Sequence, residues 1–248
     1  MDIVYMLWLR QLKRYARSRA RIIGSLGQPL LFLVALGFGF GPIFRRAGQG
    51  DYIQFLAPGV ISMTVLFSAI FSGIELIWDR QFGFLKETLV APVPRLLIMI
   101  GRTAGGATVA VLQGLIVLAI CLVAGFRIQS VAALPAVFLY MALIALMFTA
   151  LGTAIASVLA DFQGFQLVMN FLVMPIFFLS GALFPIGDAP PVLRVIATFD
   201  PLSYGVDGLR AAAHGAGHFG AATDLAVLVA LSALLLLVGS VLFARIEL

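Results

Sequence analysis

The chain has 248 residues, of which 62% are hydrophobic and 11% charged, whereas a soluble domain carries roughly 25% charged residues. That balance excludes a soluble domain and leaves a membrane protein. The net charge of +5 is then expected to report membrane orientation rather than a nucleic-acid partner.

The first 21 residues read as an amphipathic helix lying along a membrane surface. Val4, Trp8, Leu12 and Tyr15 fall on one face, and Arg10, Arg14, Arg17 and Arg21 fall opposite. Such a helix rests its apolar side in the lipid boundary and sets its arginines against anionic headgroups. Basic residues before an apolar run also resemble a signal peptide, but the run is too long and no small-x-small cleavage site follows, so the segment is expected to stay as an anchor.

From residue 22 onward the charges bound six uncharged runs: Ile22 to Phe44, Tyr52 to Ile74, Thr103 to Phe126, Ile128 to Ala160, Phe162 to Gly187 and Leu225 to Ala244. Each reaches the roughly 20 residues that a helix needs to cross a bilayer. Barrel strands would show segments of about ten residues alternating apolar and polar; these runs are continuously apolar. The expected fold is an all-α integral membrane protein with residues 1–21 as interface helix and residues 22–248 as one domain of six transmembrane helices. With the N-terminus inside, eleven of the sixteen Lys and Arg residues fall inside and five outside, which places both termini in the cytoplasm.

Between the second and third spans comes "QFGFLKETLVAPVPR", Gln81 to Arg95. Asp79, Arg80, Gly83, Lys86 and Glu87 recur at steps of three and four, leaving Phe82, Leu85 and Leu89 for another face. A short two-faced cytoplasmic helix is predicted, stopped by the prolines of "APVPR". It suits contact with a soluble partner; an ordinary connecting loop with a solvated charged face would carry the same pattern.

Between the last two spans, Asp188 is positioned to cap a helix opened by Pro190 and Pro191, and Asp200 to cap another opened by Pro201. Val192, Val195, Ile196 and Phe199 make an apolar stripe on the first, and Leu202, Val206 and Leu209 one on the second. Two short outer helices, re-entering the interface, are expected there.

Chemistry has little seat in the chain. No G-x-x-x-x-G-K-[ST] motif occurs, and the only lysines are Lys13 and Lys86, so the chain is not its own P-loop ATPase. His214 and His218 in "HGAGH" lack a thiol neighbour and the H-E-x-x-H pattern, and no metal site is predicted. Cys121 lies inside a predicted span, so there is no disulfide framework. The runs contain no acid or base of the kind that relays ions. Their polarity is uncharged: Gln28, Ser62, Thr64, Gln113, Thr149, Ser157, Gln166, Asn170 and Ser180, residue types that usually hydrogen-bond between helices. Of these, Ser62, Gln113 and Asn170 are candidates for a translocation path. The glycines of "GFGFG", Gly37 to Gly41, and "GRTAG", Gly101 to Gly105, permit close helix approach.

Three stretches in order carry a resemblance. "KETLVAPVPRLLIMIGRTAGGATVAVLQGLIVL", Lys86 to Leu118, "LSGALFPIGDAPPVLRVIATFDPLSYGVDGLR", Leu179 to Arg210, and "FLAPGV", Phe55 to Val60, resemble the permease subunits of type-2 ABC exporters, the group that includes daunorubicin-type drug export permeases. Glu87, Ala91, Pro92, Arg95, Gly101, Gln113 and Gly114 fit the family's first pattern, and Asp200, Pro201 and Tyr204 fit its outer Asn/Asp-Pro-x-x-Tyr turn. The resemblance implies that the helix between spans 2 and 3 couples to a separate ATPase subunit. Asp79, Arg80, Lys86, Glu87, Ala91, Pro92 and Arg95 would form that contact, with the N-terminal helix adding to it.

It further implies two copies of this permease and two ATPase subunits, with ATP and Mg held by those partners and no cofactor on this chain. The location would be the cytoplasmic membrane of a bacterium or archaeon, with an outer gate around Asp200, Pro201 and Tyr204. Outward transport of a drug, lipid or other amphiphile is the expected function, and a lipid-linked glycan or polysaccharide is the alternative cargo. From the residues alone, a stand-alone channel, scaffold or membrane enzyme stays open.

Overall fold

The computed structural model of the protein describes residues 2–46, 50–84, 93–159, 161–215 and 217–245, apart from the side chains of residues 2, 21 and 45. It is all-helical, with no strand among the described residues. In chain order the helices are α1 (Asp2–Arg17), α2 (Arg19–Arg46), α3 (Tyr52–Gln81), α4 (Arg95–Val123), α5 (Leu134–Val158), α6 (Phe162–Leu179), α7 (Pro191–Phe199), α8 (Pro201–His214) and α9 (Ala221–Ala244). Six of them, α2 to α6 and α9, are long and apolar enough to cross a membrane.

Several spans outrun the uncharged runs that announced them. Helix α3 has 30 residues and α4 has 29, about 45 Å each at 1.5 Å per residue, against a hydrocarbon core of about 30 Å. Their ends therefore carry charges, and the expectation of spans without ionisable groups is corrected: Glu75 and Asp79 belong to α3 and Arg102 to α4. Of the two-faced helix predicted between spans 2 and 3, residues 85–92 lie outside the described residues; only its first two charged residues are placed, and they belong to the span itself. Asp79 and Arg80 lie in the last turn of α3, which ends at Gln81 and is followed by its C-cap Phe82 and by Gly83 with φ +78°.

Helix α6 is not a plain α-helix. A π-helical turn at Met169–Val173 separates Phe162–Val168 from Met174–Leu179. Pro175 gives the physical cause, because its ring clashes with a carbonyl one turn back and it has no N–H to donate.

Helix α3 is the axis of the bundle. Of its most apolar stretch 83% is buried, against 17% for α2 and for α9, so α2 and α9 stand at the periphery. Helix α5 is the second hub, packing on α3, α4, α8 and α9. The α3–α5 contact is close because two glycines meet: a Cβ on Gly73 would lie 2.4 Å from the carbonyl oxygen of Gly152, and one on Gly152 would lie 2.7 Å from that of Ile70. The glycines that the sequence singled out behave differently. Around Gly39 and Gly41 nothing lies within 4 Å of an added Cβ, whereas Gly101 and Gly105 receive α1.

Hydroxyls inside the spans mostly bond their own helix. Thr64 donates to the Val60 carbonyl at 2.9 Å, Thr153 to that of Thr149 and Ser157 to that of Thr153, both at 2.8 Å. Bonding between helices, the usual role of such groups, is not what these three do. Helix joints occur nearer the ends, as where the Tyr52 hydroxyl donates to the Leu183 carbonyl at 3.1 Å.

In the outer region, Asp200 caps α8 as expected, its Oδ1 accepting from the Leu202 N–H at 2.8 Å ahead of Pro201. Asp188 does not cap α7: it ends a 3-10 turn at Ile186–Asp188, and the N-cap of α7 is Pro190, which has no side-chain donor or acceptor to offer. The stripe of α8, Leu202, Val206 and Leu209, is buried, while Val192, Val195 and Phe199 of α7 are exposed. Helix α8 closes at Gly215, φ +73°, whose N–H bonds the Ala211 carbonyl.

Replacing Gly152 by valine should abolish folded protein, because the added atoms meet α3 backbone that cannot step aside. Gly39→Ala should leave the melting temperature in detergent within a degree or two of the original. Size-exclusion profiles and thermal melts of both variants check the pair.

Candidate functional site

At the end of the bundle where α1 lies, five charged side chains from three helices meet. The Asp79 carboxylate, 5% exposed on α3, accepts from the Arg102 guanidinium of α4. It also accepts from both terminal nitrogens of Arg10 on α1, at 3.2 and 3.4 Å. Arg14, one turn along α1, stands 3.8 Å from Asp79 and 3.8 Å from Glu75. Three guanidiniums thus surround two carboxylates. The two-pronged geometry of arginine suits this, since one planar group can serve both oxygens of a carboxylate.

Helix α1 reaches the cluster because α4 offers it a notch. A Cβ on Gly101 would lie 3.1 Å from Leu7 and Val4, and one on Gly105 2.7 Å from Gln11. Beside the notch the Trp8 indole N–H donates to the Thr108 hydroxyl at 3.0 Å. The surface-helix expectation is therefore corrected in part. Leu7, Gln11 and Tyr15 are buried against protein, and Arg10 and Arg14 face carboxylates rather than headgroups; Arg17 stays exposed, and the side chain of Arg21 lies outside the described residues.

The predicted coupling residues divide accordingly. Asp79 is turned inward and ion-paired, so it is not part of an outward docking face; Arg80 beside it is half-buried. Arg95 opens α4 and donates to the Ala244 carbonyl, which ties α4 to the end of α9. Lys86, Glu87, Ala91 and Pro92 lie outside the described residues. At the edge of that segment Phe82 is 84% exposed and the Arg10 guanidinium lies 3.8 Å over the Phe84 ring.

Beside the ion cluster a cavity of about 500 Å³ separates α2 from α3. Met63, Phe67, Phe71, Ile74 and Trp78 give it apolar walls, and Gln28, Glu75 and Gln113 give it polar points. Of the three path candidates only Gln113 lines it. Ser62 is fully buried in α3, and Asn170 is exposed on α6 at the π-helical turn.

At the opposite end the candidate gate is a stitched turn. Tyr204 donates through its hydroxyl to the Thr198 carbonyl at 2.7 Å. Burial pushes the Asp200 carboxyl up to about 7, against the pull of the Leu202 and Ser203 N–H groups. Arg210 of α8 lies 4.0 Å over the Phe55 ring and donates to the carbonyls of Phe55 and Gly181; burial lowers it to about 10. His214 packs edge-on against Phe126, and the His218 backbone N–H donates to Asp207.

Comparison with known proteins gives this geometry its family. The profile described as ABC-2 type transporter matches residues 3–213. The chain belongs to the ABC-2 type transporter family. It is 31% identical to Nodulation protein J of Rhizobium leguminosarum bv. trifolii over 82% of this chain and 78% of that one. It is 34% identical to the Putative transport permease ycf38 of Porphyra purpurea over 84% and 71% of the two chains. The family makes the chain an integral membrane transport permease, which speaks against the alternative of a channel, scaffold or membrane enzyme.

Two predictions follow from the site. Asp79→Ala leaves Arg102 buried without its counter-charge and should lower stability by about 3–5 kcal/mol, whereas Asp79→Leu with Arg102→Met should recover most of the loss. Thermal melts in detergent decide it; an unperturbed Asp79→Ala would mean that the carboxylate is not buried among cations. For Asp200 the folded value lies above the ordinary 3.8, so the folded turn keeps a proton that the unfolded chain releases. Its contribution is full below about pH 4 and is lost as the pH rises through about 7. Asp200→Asn keeps the cap without titrating, so its melting temperature should gain on the original chain from about pH 5 to about pH 8. A constant difference would contradict the burial.

Proposed function

We propose that this permease exports a drug, lipid or other amphiphile outward, driven by two separate ATPase subunits that bind ATP and Mg. In this reading the end carrying α1 faces the cytoplasm, both termini are cytoplasmic, and the membrane is that of a bacterium or archaeon. In its turns the chain resembles the daunorubicin-type drug permeases, and we place it with that group as part of this proposal. The observation that carries the reading is the ion cluster at the two helix ends flanking residues 82–94. A partner that displaces this segment acts on α1, α3 and α4 together, because Asp79 of α3 is bonded to Arg10 of α1 and Arg102 of α4.

Coupling through Lys86, Glu87, Ala91 and Pro92, with Arg80 and Arg95 at the edges, is part of the same proposal. So is a second copy of the chain. Gln163, Gln166 and Asn170 are exposed along α6, and polar side chains at membrane depth face protein or water rather than lipid. A homodimer that covers α6 satisfies that requirement. The mostly apolar cavity beside α3 favours an amphiphile over a bulky glycan as cargo.

The experiment is affinity purification from native membrane in mild detergent, with mass spectrometry and an ATPase assay of what accompanies the chain. A stoichiometric P-loop ATPase is expected. Glu87→Ala or Pro92→Ala should uncouple its hydrolysis from transport while the variants still insert and fold. Coupled export that survives in both variants overturns the docking assignment.

A further inference from the structure

The cavity between α2 and α3 has the features of a ligand site and a selective chemistry. Its volume of about 500 Å³ is in the range of small-molecule sites, which are mostly apolar with a few placed polar groups. Phe71, Trp78 and Phe162 on its rim are 37%, 41% and 44% exposed, so it opens sideways on the surface that the apolar spans turn to lipid. A ligand reaches it from the bilayer.

The polar points then set the class of ligand. Ser25 and Thr64 have committed their hydroxyls to the carbonyls of Ile22 and Val60, each at 2.9 Å. Ser68 is 8% exposed, and its Oγ is buried without a hydrogen-bond partner among the described residues. That oxygen is closed off from the cavity, so Ser68 offers a head group no exposed hydroxyl. The amides of Gln28 and Gln113 line the same space. Among the described lining residues Glu75 alone is charged, and the Arg14 guanidinium stands 3.8 Å from it. An ionised head would therefore be desolvated with no new opposite charge to meet it, at a cost of several kcal/mol; a hydroxyl or amide would be satisfied.

We infer that this cavity binds a single-chain amphiphile with an uncharged, hydroxyl- or amide-bearing head, taken laterally from the membrane. The binding stands by itself; its role as the cargo site rests on the export reading above.

The test uses the purified chain in nanodiscs of neutral lipid, without any ATPase. The chain's two tryptophans are Trp8 and Trp78, so Trp8→Phe leaves Trp78, in the cavity wall, as the sole emitter. Chain-brominated decanol should quench it saturably, and the matching brominated decanoate and decyltrimethylammonium should bind at least about tenfold more weakly, the equivalent of about 1.4 kcal/mol. Ser68→Phe and Gly24→Leu should each abolish the saturable part. Gly24 lines the cavity, and a Cβ there meets nothing within 4 Å, so that variant fills the space without disturbing the fold even where Ser68→Phe does not fold.

Quenching that fails to saturate, that ignores Gly24→Leu, or that is as strong for either charged probe overturns the inference. Because no ATPase is present, such a failure leaves the co-purification result standing. Saturable, head-selective binding in a chain that recruits no ATPase would keep the site and remove only its role in export.

Discussion

The carboxylate of Asp79 is the constraint on which the α1 end of the molecule depends. A charge this buried is tolerable only with opposite charge and hydrogen bonds around it. The cations arrive from elsewhere: Arg102 from α4 and Arg10 and Arg14 from α1. Arg10 can arrive only if α1 lies against α4, and that requires the bare backbone at Gly101 and Gly105. One buried acid thus accounts for a helix docked on protein, a glycine notch and the orientation of three arginines.

The two ends of the bundle are held differently, and its middle is held differently again. At the α1 end the joints are ionic around Asp79, with the Trp8–Thr108 and Arg95–Ala244 hydrogen bonds beside them. At the opposite end they are hydrogen bonds to carbonyls and ring contacts, such as Tyr52 on Leu183 and Arg210 on Phe55. Between them Thr64, Thr153 and Ser157 keep their hydroxyls for their own helices. Contact between spans there is largely close packing, which has no directional bond to break when one helix slides or tilts past another. Such a bundle is stiff at its ends and shears most readily through its centre.

How much of this was legible in the sequence varied with the physics behind each feature. The six spans were legible because continuous apolar length is what a bilayer demands, and the Asp200-Pro201 start of α8 because capping is local. The ion cluster was not: Glu75 and Arg102 served only to mark where runs stop, while Asp79 was read as part of a docking face and Arg10 and Arg14 as headgroup contacts. Glu75, Asp79 and Arg102 lie just past those limits, and which cation meets which acid is decided by the folding of three segments together. The signal that could have found it is Glu75 and Asp79, one turn apart at the end of an apolar helix, opposite an arginine one turn before Gly106 in the next. The meeting of Gly73 with Gly152 was equally hidden, because a single glycine in a span says nothing about its partner.

Glu75 joins the two halves of the proposed mechanism. Its carboxylate stands in the cavity wall and beside Arg14 of the ion cluster, so the electrostatics of the cavity depend on where α1 sits. With Arg14 in place the cavity presents no uncompensated charge and suits a neutral head. If α1 moves with the segment that a partner displaces, Arg14 withdraws from Glu75. The negative charge in the wall is then less compensated, and an apolar ligand's surroundings become less favourable at the moment it has to leave. Only the balance of one ion pair has to change for binding and release to become two states of the same cavity, and a shift in affinity of this kind needs just a few kcal/mol of difference between them.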